Sequence, residues 1–249
     1  AMDFFKVLNY QVSESVYDVN ESHTAADGKI QVQLQDEFKN GEIRYWFHDK
    51  DSAHANIYSG TPITLETDTT LHAAFYEHLQ PHGHTFCQKY YVNDALGNVK
   101  SMDPLPDKAY SKGGASTLCD GVRGGMPRIS SEWLGWKENS PQLILDLQEE
   151  KSRNRVALTL LSDKGSWIYI PALIRLSGSR NGKTYEPIQQ IVLDPVKEDY
   201  LTVKQVEIPL SSTSYRYLKL NFTPLDRIPV SFPGEGKSPW LFISEVDVR

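Results

Sequence analysis

Four side chains able to ligate zinc, His78, His82, His84 and Cys87, fall within the stretch HLQPHGHTFC. Imidazole and thiolate are zinc ligands, and on a strand His82 and His84 would share one face. Pro81 and Gly83 instead predict a loop there, and no second cysteine or carboxylate pair completes a tetrahedron, so solvated loop histidines are expected. Hydrolysis of a glycosidic bond needs two carboxylates flanking it. Asp36-Glu37 is an adjacent pair, but neighbouring side chains on a strand point to opposite faces, and the pair precedes the turn signal Asn40-Gly41. The Gly113-Gly114 and Gly124-Gly125 pairs lack the strand-to-helix setting of a nucleophile elbow or a phosphate loop. No self-sufficient active site is expected.

The aromatic residues suggest binding instead. Trp133 and Trp136 stand three apart in WLGW, near Arg123, Arg128 and Glu132, while Trp240 follows Pro239 in a loop with Phe232 and Lys237. An indole face can stack on the C–H face of a pyranose while charged neighbours meet its hydroxyls. Against this, a tryptophan in a small sandwich is commonly a core residue.

These residues sit on chain that reads as β throughout. Ile30, Val32 and Leu34 alternate with glutamines over Lys29–Gln35, the period of a half-buried strand. Ile43–Phe47, Leu71–Phe75 and Phe86–Val92 follow, predicting a small antiparallel sandwich. Later strands are predicted at Leu143–Leu147, Val156–Leu161, Leu173–Ser177, Ile188–Leu193, Val203–Ile208, Tyr215–Phe222 and Leu241–Val248. Asn181-Gly182 predicts a two-residue hairpin turn. Glu149–Arg155 has no apolar stripe and reads as a solvated loop. Long loops between antiparallel strands fit a jelly roll.

Composition divides the chain. Residues 1–98 carry 6 Lys+Arg against 14 Asp+Glu; of the chain's 26 and 32, the remainder keeps 20 and 18, so net charge changes from −8 to +2. All 7 histidines precede residue 85, and four of the 5 tryptophans follow residue 130. A boundary near residue 99 is expected, giving modules 1–98 and 99–249, with Pro104 and Pro106 supplying linker chemistry. The overall charge of −6 offers no basic face for nucleic acid. No apolar run approaches the roughly 20 residues that span a bilayer. The opening AMDFFKVLNY lacks the parts of a signal peptide, and Ala1 before Met2 reads as a cloning remnant, so a piece of a longer protein is expected.

The blocks CDGVRGGMPRISSEWLGW, LILDLQEE, GSWIYIP, SGSRNGKTYEPI and WLFISEVDV resemble the discoidin or coagulation-factor type C domain. More narrowly, they resemble the version at the C-terminus of bacterial β-N-acetylhexosaminidases (chitobiases). The upstream stretch from Asn40 to Tyr76 is similar to the small chitobiase C-terminal domain, though Trp46-Phe47-His48-Asp49 replaces that family's usual turn. The resemblance implies an all-β chain, an immunoglobulin-like sandwich followed by a galactose-binding-like jelly roll. It also implies a non-catalytic accessory tail, because the His-x-Gly-Gly-Asp-Glu motif of the catalytic barrel is absent from the sequence. The implied partners are an N-acetylhexosamine-containing glycan and the catalytic domain of the same polypeptide, in the periplasm or outside the cell. No cofactor is required; many relatives hold a structural calcium, for which Asp120, Ser131 and Glu245 are the matching residues. Calcium takes six to eight oxygens, so two carboxylates with backbone carbonyls would suit it. Val122-Arg123 stands where calcium binders commonly have Asn, and an Arg123 ion pair with Asp120 or Glu245 is the alternative. The second module contains no histidine, unlike many galactose binders, leaving Arg123, Arg128, Trp133, Trp136 and Trp240 as glycan contacts. A structural spacer that binds no sugar is the competing reading. Insertion of Val230 and Phe232 into a membrane is not expected, since few cations flank them.

Overall fold

Alternation of apolar and polar residues has the expected consequence in Lys29–Gln35, where Ile30, Val32 and Leu34 are buried and the glutamines face solvent. A computed structural model describes residues 13–37, 41–48, 54–111, 113–126, 131–210 and 214–249. It divides into two compact units, with the main break between Tyr91 and Val92.

The first unit contains β1 (Asn20–Ala26), β2 (Lys29–Gln35), β3 (Glu42–Phe47), β4 (Asn56–Ile57), β5 (Ile63–Leu65), β6 (Thr69–Glu77) and β7 (Gln80–Tyr90). They form two sheets, ordered β1-β2-β5 and β4-β3-β6-β7. Ile43, Leu71, Ala73, Phe75 and Tyr90 are buried in it. The histidine-rich stretch is not a loop: Pro81 and Gly83 lie within β7, paired with β6. As an edge strand, β7 can accommodate a proline, which has no N–H to donate.

The second unit contains β8 (Val99–Asp103), β9 (Leu134–Lys137), β10 (Gln142–Lys151), β11 (Arg155–Asp163), β12 (Leu173–Ser179), β13 (Glu186–Val192), β14 (Leu201–Pro209), β15 (Tyr215–Thr223) and β16 (Trp240–Val248). The two antiparallel sheets are ordered β13-β12-β15-β10-β8 and β14-β11-β16-β9. Leu145, Leu158, Ile174, Leu220 and Val246 belong to the fully buried core. The chain is therefore all-β, with a jelly-roll sandwich as its larger unit.

Three local expectations change. The stretch before residue 99 packs with the second unit, where Asp94 N–H donates to Val248 O at 2.9 Å. Val99–Asp103, at the start of the expected second module, forms an edge strand beside β10. Arg153 is not solvated: it is 3% exposed, donates to Asp94 at 2.8 Å and to the Tyr215 carbonyl at 3.0 Å. That cluster satisfies a buried guanidinium, which explains a charged run without an apolar stripe. The Asn181 turn is also longer than two residues, with its Oδ1 accepting from the Lys183 and Thr184 N–H groups.

Candidate functional site

The two ends of β16 carry different chemistry. At the Trp240 end, the β9–β10 turn and the β15–β16 loop enclose a cleft of about 420 Å³. Glu138 takes a left-handed φ of 60° as the chain leaves β9, and Asn139 Nδ2 donates to Lys137 O at 3.0 Å. Across the cleft, buried Ile228 anchors the long loop, exchanging backbone hydrogen bonds with Gly236 and Lys237. This arrangement leaves Asp226 and Arg227 exposed, and Arg227 Nη1 donates to the buried Ser238 hydroxyl at 3.1 Å. Carboxylate acceptors, an amide and a guanidinium donor thus converge on one opening. Such a lining can hydrogen-bond hydroxyl groups, and the volume suits a small ligand.

Trp240 joins this end of β16 directly after Pro239, and its half-buried indole meets Tyr110 edge-on at 5.1 Å, with Lys137 Nζ 5.5 Å from the ring centre. The other two indoles do not join it. Trp133 and Trp136 are each 1% exposed. Trp136 lies in the main core, and its Nε1 donates to Pro104 O at 2.9 Å. Trp133 packs with Leu161, Ile168 and Phe242, and a Cβ on Gly124 would come within 2.3 Å of its ring. Both are core side chains with anchored polar tips, so the expectation that they contact glycan is corrected. Arg128 lies outside the described residues. Phe232 is no free apolar tip either, since its ring meets Tyr169 at 6.4 Å and Lys164 Nζ lies 5.1 Å above it.

The opposite end of β16 is closed and acidic. Asp247, 2% exposed, accepts from Arg123 at 2.7 Å and from Arg249 at 3.0 Å. The Arg123 pair therefore forms with Asp247 rather than with Asp120 or Glu245. Glu245 accepts from the Gly121 N–H at 3.1 Å through Oε1, while its buried Oε2 makes no hydrogen bond among the described residues. Burial, then the nearby carboxylates of Asp120 and Asp247, push its carboxyl well above the usual range. Ser131 does not complete a metal set: it is exposed, and its hydroxyl donates to Glu132 at 3.2 Å. Among the described residues no group of three or more His, Cys, Asp and Glu is arranged to hold a metal. Asp120 and Glu245 with backbone carbonyls are oxygen donors of the kind a hard cation takes.

In the first unit, His84 Nδ1 lies 3.0 Å from Asp18 Oδ1, and His82 lies 3.8 Å from Glu14. The His84 backbone N–H, donating to Asp18, holds that carboxyl below its usual range. These histidines have carboxylate partners rather than a shared metal arrangement. Cys87 is an exposed free thiol; Cys119 is buried and free, and burial raises its pKa.

No protein-family model matches the sequence, and no curated protein matches it. Among solved structures, chitosan-binding module 1 of a Paenibacillus sp. IK-5 chitosanase/glucanase overlaps at a TM-score of 0.43 and 12% identity, covering 64% of this chain and 99% of that one. The C-terminal domain of a Bacteroides fragilis chitobiase overlaps at 0.37 and 20%, covering 61% and 91%. The lectin domain of lectinolysin, complexed with Lewis B antigen, gives 0.42 and 15%, covering 63% and 95%. The first of these is named for binding chitosan and the third is complexed with a glycan antigen; no ligand is transferred to this chain on such overlaps.

The cleft residues were missed because none belongs to a recognisable catalytic pattern. Their only signal was two turn-rich segments, Asn139-Ser140-Pro141 and Pro224–Pro239, with the six strands β10 to β15 between them.

Proposed function

We propose that the chain is a non-catalytic accessory tail of a glycoside hydrolase resembling the β-N-acetylhexosaminidases. Its second unit would hold an N-acetylhexosamine-containing glycan in the cleft at the Trp240 end of β16. The observation supporting this reading is the convergence of Glu138, Asn139, Asp226 and Arg227 on one open cleft, all on loops held by a rigid sandwich. Tethering glycan beside a catalytic domain would raise its effective concentration without any chemistry in this chain. Such a role would belong in the periplasm, at the cell surface or in the secreted medium.

Isothermal titration with N-acetylglucosamine oligosaccharides tests the binding, with a chromogenic N-acetylglucosaminide testing for hydrolysis. Saturable binding without turnover is expected. Arg227→Ala should weaken binding about tenfold through loss of a charged donor. Turnover by this chain would refute the non-catalytic role. The burial of Trp133 and Trp136 favours the competing reading, a spacer with no sugar site. Absence of binding across that oligosaccharide series would leave the spacer standing.

A further inference from the structure

The cleft continues onto the outer face of the five-stranded sheet. Strand register places Gln190 opposite Arg175, Arg175 opposite Asn221, Asn221 opposite Gln142, and Gln142 opposite Asp103. Each residue lies on the face away from the core, since Ile174, Leu220, Phe222 and Leu143 beside them are buried. Five polar side chains therefore form one rung across five strands, about 19 Å long at the usual strand spacing. None of the five side chains makes a hydrogen bond or ion pair among the described residues. Two residues along β15, Thr223 lines the cleft and faces Leu173, which in turn faces the exposed Val192. An apolar row thus lies beside the polar rung, matching the C–H faces and hydroxyls of a sugar chain.

On the other side, Lys219 stands two residues from the rung on β15, and Tyr217 two residues further. Lys219 Nζ stands 4.3 Å from the Tyr185 ring centre, and Lys100 Nζ stands 4.4 Å from that of Tyr217. Charges along the path from cleft to rung nearly balance: Glu138, Asp226 and Asp103 against Arg227, Arg175 and the bordering Lys219 and Lys100, whose ammonium groups face tyrosine rings. An acidic polysaccharide would require a concentration of cations that this path lacks.

We propose that this strip extends the cleft into a groove for a linear, uncharged oligosaccharide of several sugar units. The inference rests on the carbohydrate-binding reading above, and one set of titrations separates the two. The full chain is titrated calorimetrically with N-acetylglucosamine, its disaccharide and its hexasaccharide. The hexasaccharide should bind at least about tenfold more tightly than the disaccharide, and the Gln142→Ala/Asn221→Ala variant should erase most of that gap, as expected for two lost hydrogen bonds. Equal affinity for the disaccharide and hexasaccharide would overturn the groove while leaving glycan binding intact. A gap unaltered in the correctly folded double variant would also overturn it. Tighter binding of an oligogalacturonate of the same length would overturn the uncharged assignment, and no binding of any sugar would overturn both readings.

Discussion

The two ends of β16 use charged side chains for opposite purposes. Near Val248 the carboxylates of Asp247 and Glu245 are withdrawn from water, and Arg123 and Arg249 bracket Asp247. Near Trp240 the charges of Glu138, Asp226 and Arg227 remain solvated around an opening. At the closed end the carboxylates are buried and Asp247 is ion-paired, whereas the open end has unsatisfied hydrogen-bonding capacity and volume. Charged residues in a sandwich thus indicate a site through their access and partners, not through their number.

The largest test of that contrast concerns tryptophan. Trp136→Ala, at a position in the main core, should lower unfolding free energy by about 3–5 kcal/mol in a denaturant titration. Trp240→Ala should lower it by less, because its ring is half-buried beside Tyr110. Equal losses would break the distinction between a core indole and one at the open end. At the closed end, Arg123→Ala should cost about 3 kcal/mol, since it removes one partner of a carboxylate that is 2% exposed. A loss below about 1 kcal/mol in the same titration would place Arg123 among ordinary surface pairs.

Ion removal sharpens the same contrast. If Asp120 and Glu245 share a cation, calcium at about a hundred times its Kd should add about 2.7 kcal/mol. We expect EDTA to lower Tm, excess calcium to restore it, and Glu245→Gln to abolish the response. An unchanged Tm in wild-type protein would show that Arg123 and proton uptake balance this end unaided.

Legibility in the sequence followed the same division. The alternation in β2 and in β15 is produced by burial of one sheet face, so strands and layers could be read directly. The family resemblance also grouped Asp120, Arg123 and Glu245 as one charged set, but the identity of the Arg123 partner was not legible, because Asp247 and Glu245 lie on the same strand and either can reach a guanidinium. Trp133 and Trp136 were misassigned because an indole at three-residue spacing looks alike in a core and in a sugar platform; only the packing against Gly124 and the bond to Pro104 O separates them. The cleft was illegible for a further reason. Its lining comes from loops far apart in sequence, brought together by the pairing of β9 with β16 and of β10 with β15.

A third ion pair provides an intermediate case. Arg216 donates to both oxygens of Asp146, at 2.7 and 3.1 Å, on the outer face of the five-stranded sheet. The Asp146 side chain is 18% exposed and that of Arg216 is 39% exposed. The Arg216 hydrogen bonds hold the Asp146 carboxyl below its ordinary 3.8. In the unfolded chain the group takes up its proton first as pH falls, so the pair stabilises the fold above about 3.8 and loses that contribution as pH drops through the depressed folded value. Asp146→Asn should therefore lower stability at neutral pH by no more than about 1 kcal/mol, given solvent screening of Arg216. The difference should shrink toward zero in strong acid, and added salt should reduce it at neutral pH. The Arg123–Asp247 pair, shielded on its acidic side, should resist the same salt. Equal salt sensitivity of the two pairs would mean that the closed end of β16 admits water as freely as the outer sheet face.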